Sequence, residues 1–217
     1  MSSPAAAATL YLFRHGATEW NADGRWAGRA DMPLSDLGRA QVERLAARLA
    51  ALPGPWAAAF ASPLARSRTS AAIVAAALGL PVEVDERLTE ISYGAWEGKT
   101  PEEVRATTEG ARRYAAWEAS PGAVSPPGGE PAEAALARIL ALADDLARRF
   151  PGGRVVACGH RTINRILLAR AQGLPLDEFR RRVPQDNAAL NIVRIQVGGR
   201  VEVLAMNDTA HLDGLPG

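Results

Sequence analysis

The sequence predicts an α/β protein of three layers: a mostly parallel central sheet, helices on both faces, and a small helix-and-loop insertion over the carboxyl ends of the strands. Three observations predict it. Short apolar runs alternate with longer stretches of helical period, the order expected when covering helices join parallel strands. Several runs, such as Thr9–Phe13 and Arg154–Cys158, are apolar nearly throughout, as strands buried on both faces are. One segment, 100–129, breaks the alternation. At 217 residues the chain is long enough for one sizeable core and short for two, so 1–217 reads as a single domain carrying that insertion.

The elements follow in order. Residues 1–8 read as a flexible tail and Thr9–Phe13 as the first strand; the apolar stretch they share lacks a basic n-region and a small-residue cleavage site, so it does not read as a leader. Ser35 is placed to cap a helix whose Val42, Leu45, Ala46 and Leu49 repeat at helical spacing, and Pro53–Gly54–Pro55 ends that region. Trp56–Ala61 reads as a strand, followed by a helix through Ile73, Val74, Ala77 and Leu78 that stops at Gly79. Pro81–Val84 is a third short strand. Within 100–129, Pro101–Glu102–Glu103 has proline at a first helical position and acids in the first turn. Proline and glycine make Ser120–Gly129 a loop, and the segment as a whole reads as lid-like. A long helix then carries Leu136, Ile139, Leu140, Ala143, Leu146 and Phe150 on one face. Arg154–Cys158 is a strand, Ile163–Ala171 a helix, and Ala189–Val197 and Arg200–Met206 a hairpin about Gly198–Gly199.

Composition narrows the functional classes. Twenty-five basic against 24 acidic residues leave a net charge of +1, which argues against a dedicated nucleic-acid surface or an anionic-membrane surface. With 47% hydrophobic and 23% charged residues the chain is an ordinary globule rather than a disordered one. A single cysteine, Cys158, excludes an internal disulfide, and three scattered histidines argue against a Cys/His zinc site. No apolar run is long enough to span a bilayer. The expected location is the cytoplasm.

In a parallel sheet, ligands sit at the carboxyl ends of the strands near a switch in strand order. Four strand exits carry polar groups that a core would not need: Arg14–His15–Gly16, Ser62–Arg66, Arg87–Glu90 and Gly159–His160–Arg161. Brought together, they suit a phosphate. Guanidinium forks match phosphate oxygens and stay charged. Imidazole can attack through one nitrogen while the other is held, and a carboxyl group can protonate a leaving oxygen and then activate water. No glycine-rich nucleotide loop or metal-ligand cluster is present, so arginines must neutralise the phosphoryl charge.

These segments also carry a resemblance. Leu12–Phe13–Arg14–His15–Gly16–Ala17–Thr18–Glu19–Trp20–Asn21, continued by Gly28, Asp31, Pro33–Leu34–Ser35 and Gly38, resembles the signature of the histidine phosphatase superfamily, the phosphoglycerate-mutase-like proteins. Ser62–Ser67 resembles that family's second arginine motif, and Arg87–Glu90 with Gly94 and Trp96–Glu97–Gly98 its acid motif. Gly159–His160 with Ile163 and Arg165–Leu168 resembles its second histidine motif, and Asn207–Leu212 a terminal segment of many members. The resemblance covers nearly the whole chain from Thr9. It implies catalytic residues His15 (the phosphorylated nucleophile), Glu90 (proton donor, then base) and His160. It further implies phosphate contacts from Arg14, Arg66 and His160, aided by Asn21, with no cofactor and no metal.

Each residue has a competing reading. Arg68 competes with Arg66 but reads as a solvated helix arginine. Glu86 and Glu97 compete with Glu90 and read as surface charges. Asn21 could only brace its own loop, and His211 reads as structural. Arg161 stands where the family has a small residue. As a candidate phosphate-binding residue its side chain could meet a substrate anion or crowd the pocket, and an outward turn to a loop carboxylate is the favoured reading.

The expected activity is that of a metal-independent phosphomonoesterase acting on a small phosphorylated metabolite through a phosphohistidine. A cofactor-dependent phosphoglycerate mutase is the alternative, and a non-catalytic member binding phospholigands a lesser one. Ala27 before Gly28, Ile91 after Glu90 and the short insertion depart from the mutase pattern, whereas Tyr93 and Arg112–Arg113 agree with it. Two adjacent helical arginines are usually a solvated face, which favours the phosphatase. The leaving group (sugar phosphate, phosphoglycerate derivative, phosphoserine or a cobalamin-pathway phosphate) and the oligomeric state, a homodimer included, stay open.

Overall fold

Alternation along the strands builds a core on each face of one sheet. Strand β1 (Ala8–Arg14) sends Leu10 and Leu12 to one side and Phe13 to the other. Strands β2 (Ala58–Ala61) and β4 (Arg154–Gly159) divide likewise, with Phe60 and Ala157 on the first side and Ala59 and Cys158 on the second. Helices α2 (Asp36–Ala50) and α3 (Ala65–Leu78) cover the second side; α6 (Ala132–Arg149) and α7 (Arg161–Ala171) cover the first. This is the three-layer α/β arrangement read from the sequence, seen here in a computed structural model that describes residues 6–215.

The six strands lie in the order β3-β2-β4-β1-β5-β6, with β3 at Val82–Val84, β5 at Leu190–Gln196 and β6 at Arg200–Asp208. Four are mutually parallel; β5 runs antiparallel to β1, and β6 to β5. The sheet is thus mixed and mostly parallel. Gly198 and Gly199, both at positive φ, turn the β5–β6 hairpin. Ser35 caps α2 by accepting from the Gly38 amide, and Gly79 ends α3 in the left-handed region.

One expectation needs correction, and two short helices add to the sequence reading. The tail expected over 1–8 falls mostly outside the described residues, but Ala8 belongs to β1: it is fully buried and pairs with Ile195 at the edge of the β1–β5 ladder. A short helix α1 (Glu19–Ala22) and another, α8 (Phe179–Arg182), were not apparent in the sequence; at four residues each they are too short to show a period.

The 100–129 segment forms α4 (Pro101–Arg105) and α5 (Thr108–Ala119), and Thr100 and Glu103 close a capping box at the proline-started turn. Tyr114 and Trp117 of α5 join Trp26, Tyr93 and Trp96 in an aromatic cluster whose ring centroids lie 5.2–6.2 Å apart. That cluster fastens the insertion against the carboxyl ends of the strands.

Candidate active site

Register places the two histidines. Arg14 and Gly159 are partners at the ends of the parallel strands β1 and β4, so the next residues, His15 and His160, leave adjacent strands at the same level. Their ring centroids are 5.1 Å apart. Ala61, at the end of β2, pairs with Cys158, which brings Ser62 and the start of α3 to the same edge. Beyond β3, a 3-10 turn at Glu86–Leu88 delivers Glu90 from the far side. Arg14, His15, Asn21, Arg66, Glu90 and Arg161 then line one hollow of about 390 Å³ together with Arg25, Trp26, Ala27, Gly28, Tyr93 and Thr162.

His15 is held by its backbone as much as by its ring. Its Nδ1 is 2.7 Å from the Gly16 carbonyl, which can only accept, so the proton sits on Nδ1 and the lone pair on Nε2. The His15 carbonyl takes the amides of Ala188 and Asn187. Gly16 is required here by close approach, because a Cβ at that position would lie 2.1 Å from the Gly38 carbonyl oxygen. The Ala17 amide donates to Gln41 Oε1 and the Ala17 carbonyl accepts from Ser35, so the loop is stitched to the first turns of α2.

His160 is fully buried. Ser62 Oγ lies 2.6 Å from its Nε2 and accepts from the Leu64 amide at 3.4 Å. The His160 Nδ1 has no partner within the protein. Arg14 and Arg66 are nearly fully buried as well. Arg14 donates to the Gln185 carbonyl, and Arg66 to the carbonyls of Ala30 and Gly28, while the Nε of each is buried and unpartnered. The Nε donors of two arginines that line the hollow are thus left for an anion to satisfy, whereas His160 stands beside it and does not line it.

Glu90 accepts the amides of Ile91, Thr162 and Ile163, the last two from the first turn of α7. A carboxylate has about four acceptor sites, so one remains for a reacting group. Asn21 Oδ1 is taken by Thr18 and Asn187, which leaves its amide nitrogen for the hollow; it braces the loop and lines the site at once.

The competing residues sort out on contacts. Arg68 is exposed, and Arg112 and Arg113 both pair with Glu109, a solvated face. Glu86 is exposed, whereas Glu97 differs from its surface reading: it accepts from the amides of Arg29 and Tyr93 and from Ser92, holding together two walls of the hollow. His211 binds the Ala188 carbonyl and Arg48, away from the hollow. Arg161 is exposed, but it does not meet the loop carboxylate expected for it. Among the described residues it has no ion pair, and it lines the hollow from the start of α7, where no acid of the insertion reaches it. Sequence reasoning missed Ser62, Thr162 and Gln185 as supporting groups; their roles come from contacts across 69–171 positions of chain.

Electrostatics favour neutral imidazoles. Burial, then the Arg66 and Arg14 guanidiniums, push His15 well below the usual histidine range, against a smaller opposing effect from the Gly16 carbonyl. Burial, Arg66 and His15 do the same to His160. Burial and the neighbouring Arg161 lower Arg14 to about 9. His211 is also lowered, by burial first. All three histidines therefore bind fewer protons folded than unfolded, and stability rises with pH up to the unfolded value near 6.5. Each contributes a slope of up to about 1.4 kcal/mol per pH unit below that value, lost progressively as pH falls. Tm is expected to drop by several degrees between pH 7 and pH 5, before carboxylates titrate, and to drop less in His211→Gln. A Tm flat over that window in calorimetry would contradict the assignment of buried neutral histidines.

Among the described residues no group of three or more His, Cys, Asp or Glu side chains is placed to hold a metal ion, and no helix is long and apolar enough to cross a membrane.

Comparison with known proteins agrees with this geometry. The chain matches the model of the histidine phosphatase superfamily (branch 1) over residues 10–209. It is 34% identical over 203 residues to the bifunctional protein Rv2228c of Mycobacterium tuberculosis; the match covers 94% of this chain but 54% of that protein, so the chain spans about half its length. It is 31% identical to phosphoserine phosphatase 1 of Hydrogenobacter thermophilus, covering 94% of this chain and 93% of that one. To a probable phosphoglycerate mutase GpmB of an Enterobacter strain it is 30% identical, with 94% of each covered. Among solved structures, Bacillus stearothermophilus YhfR superposes with a TM-score of 0.86 at 32% identity, covering 95% of this chain and all of that one. A mycobacterial glucosyl-3-phosphoglycerate phosphatase complexed with VO3 superposes with a TM-score of 0.79 at 28% identity, covering 92% and 98%. Two histidines at the exits of adjacent parallel strands, two buried arginines at the same edge and a family model that spans the same residues have one reading: the chain belongs to branch 1 of the histidine phosphatase superfamily.

Proposed function

We propose that the protein is a phosphomonoesterase that needs no metal ion and works through a phosphohistidine at His15. The observation that carries the reading is the pairing of a neutral His15, its Nε2 lone pair free, with unpartnered guanidinium nitrogens of two buried arginines. The guanidiniums of Arg14 and Arg66, with His160 and the Asn21 amide, hold the phosphoryl oxygens and offset their charge, which otherwise repels a nucleophile.

In the first half-reaction, Nε2 forms a bond to phosphorus as the bond to the ester oxygen breaks. The leaving oxygen keeps that electron pair and takes a proton from the Glu90 carboxyl group. In the second, Glu90 accepts a proton from water, the water oxygen bonds to phosphorus, and the phosphorus–nitrogen bond returns its pair to Nε2. His160 and Arg14 stay in place throughout, so the site does not have to reorganise between the two transfers.

The phosphatase reading is favoured over the mutase by Arg112 and Arg113, which are bound to Glu109 on an exposed helix face and are absent from the hollow. Hydrolysis of p-nitrophenyl phosphate in EDTA tests the reading. Steady turnover without a bisphosphorylated primer is expected. Activity that disappears in EDTA and returns with a divalent ion, or phosphate transfer only after priming with 2,3-bisphosphoglycerate, would contradict it.

A further inference from the structure

Outside the phosphate hollow lies a wider one of about 870 Å³, which shares Arg14, Asn21, Arg25, Trp26 and Arg161 with it and extends to Arg165 and Arg180. Its charge is one-sided. Asp186 is the only acid on its walls, and that carboxylate takes the Asn207 amide. Of the arginines on its walls, Arg25 pairs with a carboxylate, that of Glu103. Among the described residues, Arg161, Arg165 and Arg180 have none. Arg165 Nε is buried without any partner, and the Arg180 guanidinium lies 3.7 Å over the Trp117 ring.

The placement of Arg161 and Arg165 opposes two ordinary preferences. They are one turn apart on α7, so like charges face each other. They also occupy the first half of that helix, whose amino end is already positive. Burial and the charge of Arg161 bring Arg165 down to about 10. Neither guanidinium belongs to the buried face of α7, which is Thr162, Ile163, Asn164 and Ile166–Ala169. A bound anion removes the repulsion and supplies the missing acceptors.

We propose that the substrates are phosphomonoesters whose leaving group carries a second anionic group, a carboxylate or a second phosphoryl, held by Arg161, Arg165 and Arg180 while the first phosphoryl meets His15. The proposal rests on the phosphomonoesterase reading above and narrows it to a substrate class. It also gives the departure at Arg161 a purpose: that residue lines both hollows and so spans the two anions.

Phosphonates test this without turnover, because their phosphorus–carbon bond offers no leaving oxygen. Calorimetry on the whole protein at constant salt compares butylphosphonate, 4-phosphonobutyrate and butane-1,4-bisphosphonate. At least one of the doubly acidic probes is expected to bind 10-fold or more tightly than butylphosphonate, and which one does so separates carboxylate from phosphoryl. Arg165→Gln is expected to reduce that ratio to within about threefold, losing most of a tenfold preference. Three equal affinities, or a preference unchanged in both Arg165→Gln and Arg180→Gln, would overturn the proposal. Equal affinities alongside p-nitrophenyl phosphate hydrolysis overturn the second anion and leave the phosphatase standing. A clear ranking with no ester hydrolysed overturns the phosphatase and sustains the anion site.

Discussion

His15→Ala is expected to lower the turnover of p-nitrophenyl phosphate by on the order of 10⁴-fold or more, leaving a folded protein. The size of the effect follows from the place of the imidazole in both half-reactions. Without Nε2 there is no acceptor for the phosphoryl group, and water must attack an ester that Arg14 and Arg66 can bind but not cleave. The fold tolerates the change because the loop is held by main-chain contacts, the Ala188 amide on the His15 carbonyl and Ser35 on the Ala17 carbonyl. Far-ultraviolet circular dichroism and steady-state rates on the same preparation check both halves. A variant that keeps a tenth of wild-type turnover would show that another group is the nucleophile.

The second large effect is structural. Gly38→Ala is expected to destabilise the protein by about 3 kcal/mol or more, an overpacking at the upper end of what such changes cost. A Cβ at Gly38 would lie 2.0 Å from the Ala17 carbonyl oxygen and 2.6 Å from the Ala17 nitrogen, both backbone atoms that cannot rotate away. Either α2 retreats or the His15 loop shifts, and displacements of about 1 Å at a reacting group can cost on the order of 100-fold in rate. For a chain of this size the loss corresponds to a Tm lowered by roughly 6–12 °C. Thermal unfolding and kcat measured together distinguish the outcomes; an alanine variant within about 2 °C of wild type and fully active would contradict the tight approach of loop and helix.

The layers and the strand exits were legible in the sequence for a physical reason. Buried parallel strands such as Thr9–Phe13 and Arg154–Cys158 leave little besides apolar residues, so the charged groups just beyond them stand out. Helix ends were legible where caps are local: Ser35, Gly79 and the Thr100–Glu103 box each act within a few residues. What was not legible depends on distant contacts. That Ser62 meets His160, or that Glu97 ties Arg29 to Tyr93, follows from packing between separate segments. Arg161 has an outward reading in the sequence because exposed arginines usually find a carboxylate; here its own helix brings Arg165, and neighbouring elements bring Arg14 and Arg180. Ala8 reads as tail because alanine carries no strand signal, yet it is fully buried and pairs with Ile195. The one usable hint that was present is the pair Gly16 and Gly38, whose absent side chains let loop and helix meet.

The central claim is that phosphorus is bonded to His15 between the two half-reactions. Quenching the enzyme in alkaline detergent within its first turnover, followed by peptide mass spectrometry, tests it most directly. A phosphoryl group on the peptide bearing His15, stable to alkali, lost in acid and absent from His15→Ala, is the expected result. Full turnover with that peptide unmodified at every time point, or with the phosphoryl group on another residue, would contradict it.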